Sequence, residues 1–314
     1  MTETTKHIFE KYQIRKTGAQ KRAFIACIES LAQTWGYSCR VEKGWMGAGN
    51  IVIGDPAKAK VIYTAHYDTC PRLPFPNFIT PGHFWIYLLY QIAVVIGFML
   101  LPMAAFVCIV LSLASAFDWN SEISAMIAVL GGYGIMLIFS LLILFGPANR
   151  HTANDNTSGV TVLTELMEAM PEEYRDDAAY IFFDLEEMGL FGSGGYAAKH
   201  KNEIKGKPVI NFDCVSDGET ILLAVQKRAA AYMDTLEKAF VPTETVSVAI
   251  RNRGVFYPSD QMNFPCGIGV AALKRTKRGN ILYMNRIHTN RDTVYREENI
   301  AYLKGSAVRL TALL

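Results

Sequence analysis

The chain of 314 residues is short of several things, and each shortage narrows what it can be. Its charges nearly cancel, 31 Lys and Arg against 29 Asp and Glu for a net +2, and no basic run is interleaved with aromatics. A nucleic-acid partner is excluded on that ground, because phosphate binding needs a concentrated basic face. Six cysteines occur without a CxxC or any close spacing. Neither a structural zinc knuckle nor a disulfide framework is expected, and free thiols in a reducing compartment are. The opening MTETTKHIFEKYQIRK has no apolar stretch of the kind a cleavable secretory signal requires. No internal repeat is evident.

The most local shortage is of charge. Residues 84–117 contain no charged side chain, and after an acidic loop carrying Asp118 and Glu122 a second uncharged run covers 123–147. Each exceeds the roughly 18 apolar residues that mark a transmembrane candidate. A helical hairpin buried in a soluble dimer is the competing reading, but core helices seldom run so long without a polar face. Two membrane spans are expected, with residues 84–147 in contact with the lipid bilayer. As one straight helix the first run would measure about 50 Å, longer than the roughly 30 Å hydrocarbon core. Pro102, midway along it, suggests a kink, a tilt or an interfacial first segment. Arg72 and Arg150 flank the hairpin while its connecting loop has no base, so the positive-inside rule puts both outer ends, and the remainder of the chain, on the cytoplasmic side.

That remainder, residues 1–83 and 148–314, alternates helical and strand patterns. Apolar residues at helical spacing in 5–35 predict two helices broken near Gly18 and ended by Gly36; 37–41 and 50–53 read as a strand pair, and KVIYTA (60–65) as a buried strand running into His66. Further strands are expected at 178–183, 208–213, 219–225, 245–250 and 268–273. Helices are expected at 157–170, where the pattern is amphipathic, and at 190–199, 229–240 and 298–313. The fold class is α/β: a mixed, mostly parallel central sheet flanked by helices, interrupted by the inserted two-helix transmembrane hairpin.

Within this body the stretch IFFDLEEMGLFG (181–192) joins an apolar strand to two adjacent acids, Glu186 and Glu187, and then to a glycine where the chain can turn. Carboxylates delivered to a sheet edge by a buried strand need a positive partner. Four other places carry metal-type ligands at or just after an expected strand end: His66-Tyr67-Asp68, Asn154-Asp155-Asn156, Asp213 and His288. Singly each has an ordinary explanation: HxD as a surface turn, Asp155 as a helix N-cap, Asp213 as a solitary strand-end acid, His288 as a turn histidine.

As an ordered set, HYD, NDNTSG, DLEEMGLFGS, NFD and IHTNRDT closely resemble the co-catalytic di-zinc aminopeptidase family, which includes glutamate carboxypeptidase-like and glutaminyl cyclase-like members. The resemblance covers the chain apart from the hairpin, which departs from the soluble family pattern. It implies two Zn²⁺ per chain, with His66, Glu187, Asp213 and His288 as terminal ligands and Asp155 as the carboxylate shared by both ions. It further implies Glu186 as general base, Asp68 as the partner that orients His66, and Tyr257 in FYPSDQ as an aid to the oxyanion. Ser259-Asp260 is similar to a family SD-His motif, but Gln261 stands where the His would be. His151 is expected not to bind metal, since the set is complete without it; Cys70 and Cys214 lie near the site, where packing is the expected role and soft ligation of contaminating metals the alternative.

The function implied is that of a membrane-anchored metallo-aminopeptidase acting on peptides. A carboxypeptidase or dipeptidase of the same two-metal type is the alternative within the class, and a non-catalytic membrane receptor or scaffold the alternative outside it. A one-metal cyclase is disfavoured because both His66 and Asp213 are present. Two of the ligand segments lead into and out of the hairpin, from which we expect a site close to the cytoplasmic bilayer surface.

Overall fold

The inner strands of this chain bury both faces, so their side chains sort by alternation rather than by polarity. In the computed structural model, which describes residues 1–279 and 281–314, nine strands form one sheet: β1 (Cys39–Lys43), β2 (Gly49–Ile53), β3 (Val61–His66), β4 (Ala178–Phe183), β5 (Val209–Phe212), β6 (Thr220–Val225), β7 (Ser247–Arg251), β8 (Gly267–Arg275) and β9 (Leu282–Tyr283). Their order is β1-β2-β4-β3-β5-β8-β6-β7, with β9 paired to β8. The four central strands β4, β3, β5 and β8 are mutually parallel, and antiparallel pairs (β2 on β4, β6 on β8) flank them. Tyr63, Ala65, Tyr180, Phe182, Ile210 and Phe212 point into the larger apolar layer, while Ile62, Ala179, Ile181, Phe183 and Val209 point into the smaller one.

Helices supply the other side of each layer. α1 (Glu3–Tyr12), α2 (Gly18–Thr34), α6 (Gly159–Ala169), α8 (Met233–Ala239) and α9 (Glu297–Leu313) contribute to the larger layer, and α7 (Phe191–Lys199) contributes Tyr196 to the smaller. The break between α1 and α2 falls at 13–17: Gly18 begins the second helix, which Thr17 and Gln20 open with a capping box. The amphipathic pattern expected for α6 is not how the helix is used, because every residue from Gly159 to Met167 is buried. Its polar side chains are satisfied internally; Glu165 accepts from the Thr5 hydroxyl at 2.6 Å and from Lys304 Nζ at 2.9 Å. A Cβ on Gly159 would lie 2.3 Å from the Phe212 carbonyl, so glycine lets the helix start directly against β5. The helix expected over 229–240 divides into a 3₁₀ turn at Lys227–Tyr232 followed by α8.

Residues Phe84–Pro147 form a compact unit of their own, distinct from Met1–His83 with Ala148–Leu314. The first uncharged run is continuous from Phe84 to Ala116. It comprises α3 (Phe84–Val95), a π-type turn at Ile96–Leu100 and α4 (Leu101–Ala116), so the irregular turn lies just ahead of Pro102, whose missing N–H it accommodates. α5 (Ser121–Phe145) packs against α4 through small residues: Ser124, Ala128 and Gly132 are buried at four-residue intervals. Both runs are long and apolar enough to cross a membrane.

Candidate metal centre

Three parallel strands, β4, β3 and β5, end side by side, and at those ends the chain places His66, the Glu186-Glu187 pair and Asp213. The other two expected ligands arrive differently. Asp155 lies in an irregular π-type turn ahead of α6, and His288 lies beyond β9 with φ +63°, a left-handed conformation uncommon outside glycine. The glutamates do not continue the strand. Leu185 adopts φ +56°, and the amides of Gly189 and Leu190 both donate to the Glu186 carbonyl at 2.9 Å, so the pair rides on a turn that ends at Gly189 with φ +117°. The two glutamates therefore sit on a turn and not on extended backbone.

All five expected ligands converge into two lobes sharing Asp155. In the first, His66 Nε2 lies 3.3 Å from Asp155 Oδ1 and 3.5 Å from Asp213 Oδ1. In the second, His288 Nε2 lies 3.1 Å from Asp155 Oδ2 and 3.3 Å from Glu187 Oε2. The His66, Glu186 and Glu187 donor atoms also fall within 4.8 Å of one another, so Glu186 borders the cluster.

Whether zinc fits can be tested on the donors themselves. Bonds of about 2.0–2.2 Å to nitrogen and oxygen in tetrahedral array separate donors by about 3.3 Å, the spacing found in both lobes. Glu187 Oε1 and Asp213 Oδ1 are buried with no hydrogen-bond partner, which a native interior rarely tolerates. The charges agree. Burial, reinforced by Glu187, Asp213 and Asp260, pushes the Glu186 carboxyl well up despite His66. Burial and then Asp155 and Asp68 raise Glu187, with His288 and His66 opposing. Burial resists protonation of His66, yet Glu186, Asp155, Asp213 and Asp68 raise it well above the usual imidazole range. The pocket thus holds more carboxylate than its own cationic side chains can neutralise, a charge balance that suits a divalent cation.

A surrounding set of polar groups fixes these ligands. Asp68, expected to orient His66 through its carboxylate, places that carboxylate 3.6 Å from His66 Nδ1, outside hydrogen-bond range; the ring nitrogen instead lies 3.1 Å from the Asp68 carbonyl. The carboxylate is spent on the glutamates, accepting from the Glu186 amide at 3.1 Å and the Glu187 amide at 3.2 Å. Tyr257 is buried and donates its hydroxyl to the Asp213 carbonyl at 3.0 Å. Gln261, at the position of the family His, is buried between Asn211 Nδ2, from which it accepts at 3.1 Å, and the Tyr257 carbonyl, to which it donates at 2.6 Å.

Two residues important to this frame, Asp292 and Arg15, were not singled out in the sequence, and a third, Asn156, was named there only as a neighbour of Asp155. Asp292 accepts from the amides of Asn154 at 2.8 Å and Asp155 at 3.0 Å; burial and Asp155 push its carboxyl up to about 8. Asn156 donates to the carbonyls of His66 and Phe212 and accepts from the amides of Gly159 and Cys214, joining two ligand strands to the Asp155 turn. Arg15 is fully buried and donates to the Tyr67 and Tyr12 carbonyls. Burial lowers its pKa to about 10, held there by Asp68 and Asp155. For Asp292 a signal existed, a second acid inside IHTNRDT; for Arg15, far from every motif, there was none. His151 is exposed and belongs to no donor group among the described residues.

Comparison with known proteins follows the same outline. The fold is similar to the LapA aminopeptidase of Legionella pneumophila (TM-score 0.57, 16% identity, covering 99% of this chain and 68% of that one). It is also similar to a glutaminyl cyclase of Porphyromonas gingivalis (0.54, 14%, covering 98% and 96%). A leucine aminopeptidase precursor of Bacteroides thetaiotaomicron VPI-5482 gives 0.53 at 14%, covering 98% and 93%. At these identities the likeness is one of fold. No curated protein sequence matches the chain. Residues 140–306 match the model of peptidase family M28, and with more than half of its length so matched the chain belongs to peptidase family M28, a family of zinc-dependent peptidases.

Proposed function

We propose that the chain is a membrane-anchored aminopeptidase that removes N-terminal residues from peptides with two zinc ions per chain. The observation that carries this is the pair of lobes sharing Asp155, with Glu186 at their border. Terminal ligands are His66 and Asp213 in one lobe and Glu187 and His288 in the other. When bound, zinc would supply Lewis acidity toward the scissile carbonyl from one of the two ions and make water a better acid. Glu186 takes a proton from the attacking water onto its carboxylate as the new C–O bond forms, then gives that proton to the leaving amine nitrogen as the C–N bond breaks. Asp68 is a positioning residue, holding the backbone of both glutamates, and Tyr257 braces Asp213 by donating its hydroxyl to the Asp213 carbonyl; the oxyanion role for Tyr257 rests on the family resemblance. The aminopeptidase names of two similar structures agree with this reading.

Anchoring rests on the two long apolar helices, and the cytoplasmic placement of the catalytic body on Arg72 and Arg150 beside an acidic connecting loop. A second reading within the same chemistry has its own support. A cleft of about 590 Å³ is lined by Arg72, Leu73, Pro74, Thr289, Asn290 and Arg291, next in sequence to His288, and two guanidinium groups there suit the free carboxylate of a dipeptide or an acidic side chain. Detergent-solubilised full-length protein assayed on free-N-terminus, blocked-N-terminus and C-terminal substrates, with and without chelator, tests both. Chelator-sensitive hydrolysis confined to free N-termini is expected; cleavage of N-blocked substrates at the C-terminus would replace the first reading with the second.

A further inference from the structure

The two lobes are not chemically equal. The donor group of the first is His66, Asp155 and Asp213, nitrogen and oxygen only; that of the second is Asp155, Glu187, His288 and Cys70, with all four donor atoms within 4.8 Å of one another. Cys70 is completely buried. Its segment is tied to that of His288 at several points: the Leu73 amide donates to the His288 carbonyl at 2.8 Å, the Asn149 amide to the Cys70 carbonyl at 3.1 Å, and Asn149 Nδ2 to the Thr289 carbonyl at 3.0 Å. The backbone therefore presents the sulfur to the lobe in a fixed position. An independent feature of the same lobe points to a bound cation: Glu187, its side chain only 8% exposed, leaves Oε1 buried and unpartnered. Cys214, also buried and adjacent in sequence to Asp213, enters no donor group among the described residues.

A thiolate is a soft ligand that favours zinc over magnesium, calcium or manganese. Three protein donors leave a tetrahedral ion an open position, as at catalytic sites, whereas four close it, as at structural sites. We propose that Cys70 Sγ is the fourth protein donor to the metal of the His288 lobe, so that this lobe is a closed sulfur-containing site and the His66 lobe keeps the open position. The thiol proton leaves to solvent as the sulfur–metal bond forms. The inference rests on the two-metal reading above and adds an asymmetry to it, in retention and in metal preference.

Cobalt(II) reports the ligand directly, because thiolate coordination produces a near-ultraviolet charge-transfer absorption that carboxylate and imidazole do not. Metal-free full-length protein in detergent, titrated with Co²⁺, is expected to take up two equivalents and to develop this band with only one of them. C70S and C70A are expected to lose the band, to keep one tight equivalent in the His66 lobe, and to release the other to chelator with an affinity loss at or beyond the roughly 10–100-fold seen for changes just outside a ligand shell. C214S is expected to keep the band. Two cobalt ions without a sulfur band in the wild type, or a band that survives C70S or disappears in C214S, overturns the role of Cys70 and leaves the two-metal reading standing. Failure to bind cobalt at all overturns both. Should the Cys70 variants not fold, as read by circular dichroism, the wild-type spectrum together with C214S still decides.

Discussion

The hairpin and the peptidase body invert each other's use of polarity. In the hairpin large apolar side chains lie open, Trp85 at 72%, Leu89 at 65% and Leu130 at 63% exposure, and no charge interrupts either helix beyond Glu122 at the start of α5. In the body it is charge that is hidden: Asp68, Asp155, Asp213, Asp260 and Asp292 are all buried. On the proposed reading each region is completed from outside, the hairpin by a solvent with no hydrogen bonds to offer and the body by cations. The needs are different in kind, so each should be removable without disturbing the other, and that separability is what experiment can break.

The largest effect is expected from taking the metal away. Chelation should abolish hydrolysis and lower the stability of the body by about 4 kcal/mol for each zinc site at which free zinc had stood at 1,000 times its dissociation constant. Differential scanning calorimetry read against helical circular dichroism of the detergent-bound hairpin would check this; a hairpin that melts with the chelated body would end the claim of separability. Next comes E186Q, which removes the proton acceptor but no ligand. Its kcat should fall by about 10²–10⁴-fold, with zinc content by elemental analysis and membrane partition unchanged. Wild-type turnover in a fully loaded E186Q protein would remove Glu186 from the chemistry.

How far the sequence could be read divides along the same line. Elements whose signal is local were legible: the uncharged runs, the apolar strands into His66 and Glu186, and the ligand order from HYD to IHTNRDT. What depends on chain segments meeting was not. The Leu185 turn hides in what reads as a strand continuing into two acids. Burial of α6 from Gly159 to Met167 departs from its amphipathic pattern because its polar side chains meet Thr5 of α1 and Lys304 of α9, both over 130 residues from Glu165. Cys70 looks like packing in sequence, since only folding brings its sulfur to Glu187 and His288.

A smaller effect should follow from D68N. The carboxylate oxygens accept from the amides of both glutamates, and an amide side chain can replace one such acceptor but not two. A loss of about 10–100-fold in kcat/KM is expected, the usual cost of disturbing groups that orient metal ligands, with zinc still bound. Loss comparable to E186Q would mean that Asp68 does more than position. In the hairpin the matching probe is G131L. Even a Cβ at Gly131 would fall 2.2 Å from Phe106 Cε1, so the ring must move and the α4–α5 packing must loosen, at about 1–3 kcal/mol by analogy with other overpacked interiors. Steric trapping or detergent unfolding should show that loss, while kcat of the solubilised enzyme stays as it was.

The smallest effect is expected at His151, and it is informative because the residue lies between the two regions in sequence, four positions before Asp155. Proximity alone would make it a ligand. Its ring is exposed, however, and what the structure uses is its backbone: the carbonyl accepts from Asn149 Nδ2 at 2.6 Å and the amide donates to Asn149 Oδ1 at 3.3 Å. Alanine preserves both groups. H151A should therefore change stability by no more than about 0.5 kcal/mol, as for other exposed positions, and leave zinc stoichiometry and kcat/KM at wild-type levels. Loss of one zinc in H151A would show that the segment returning from the hairpin contributes to the centre through this exposed side chain, and the separation of the two regions would fail at that residue.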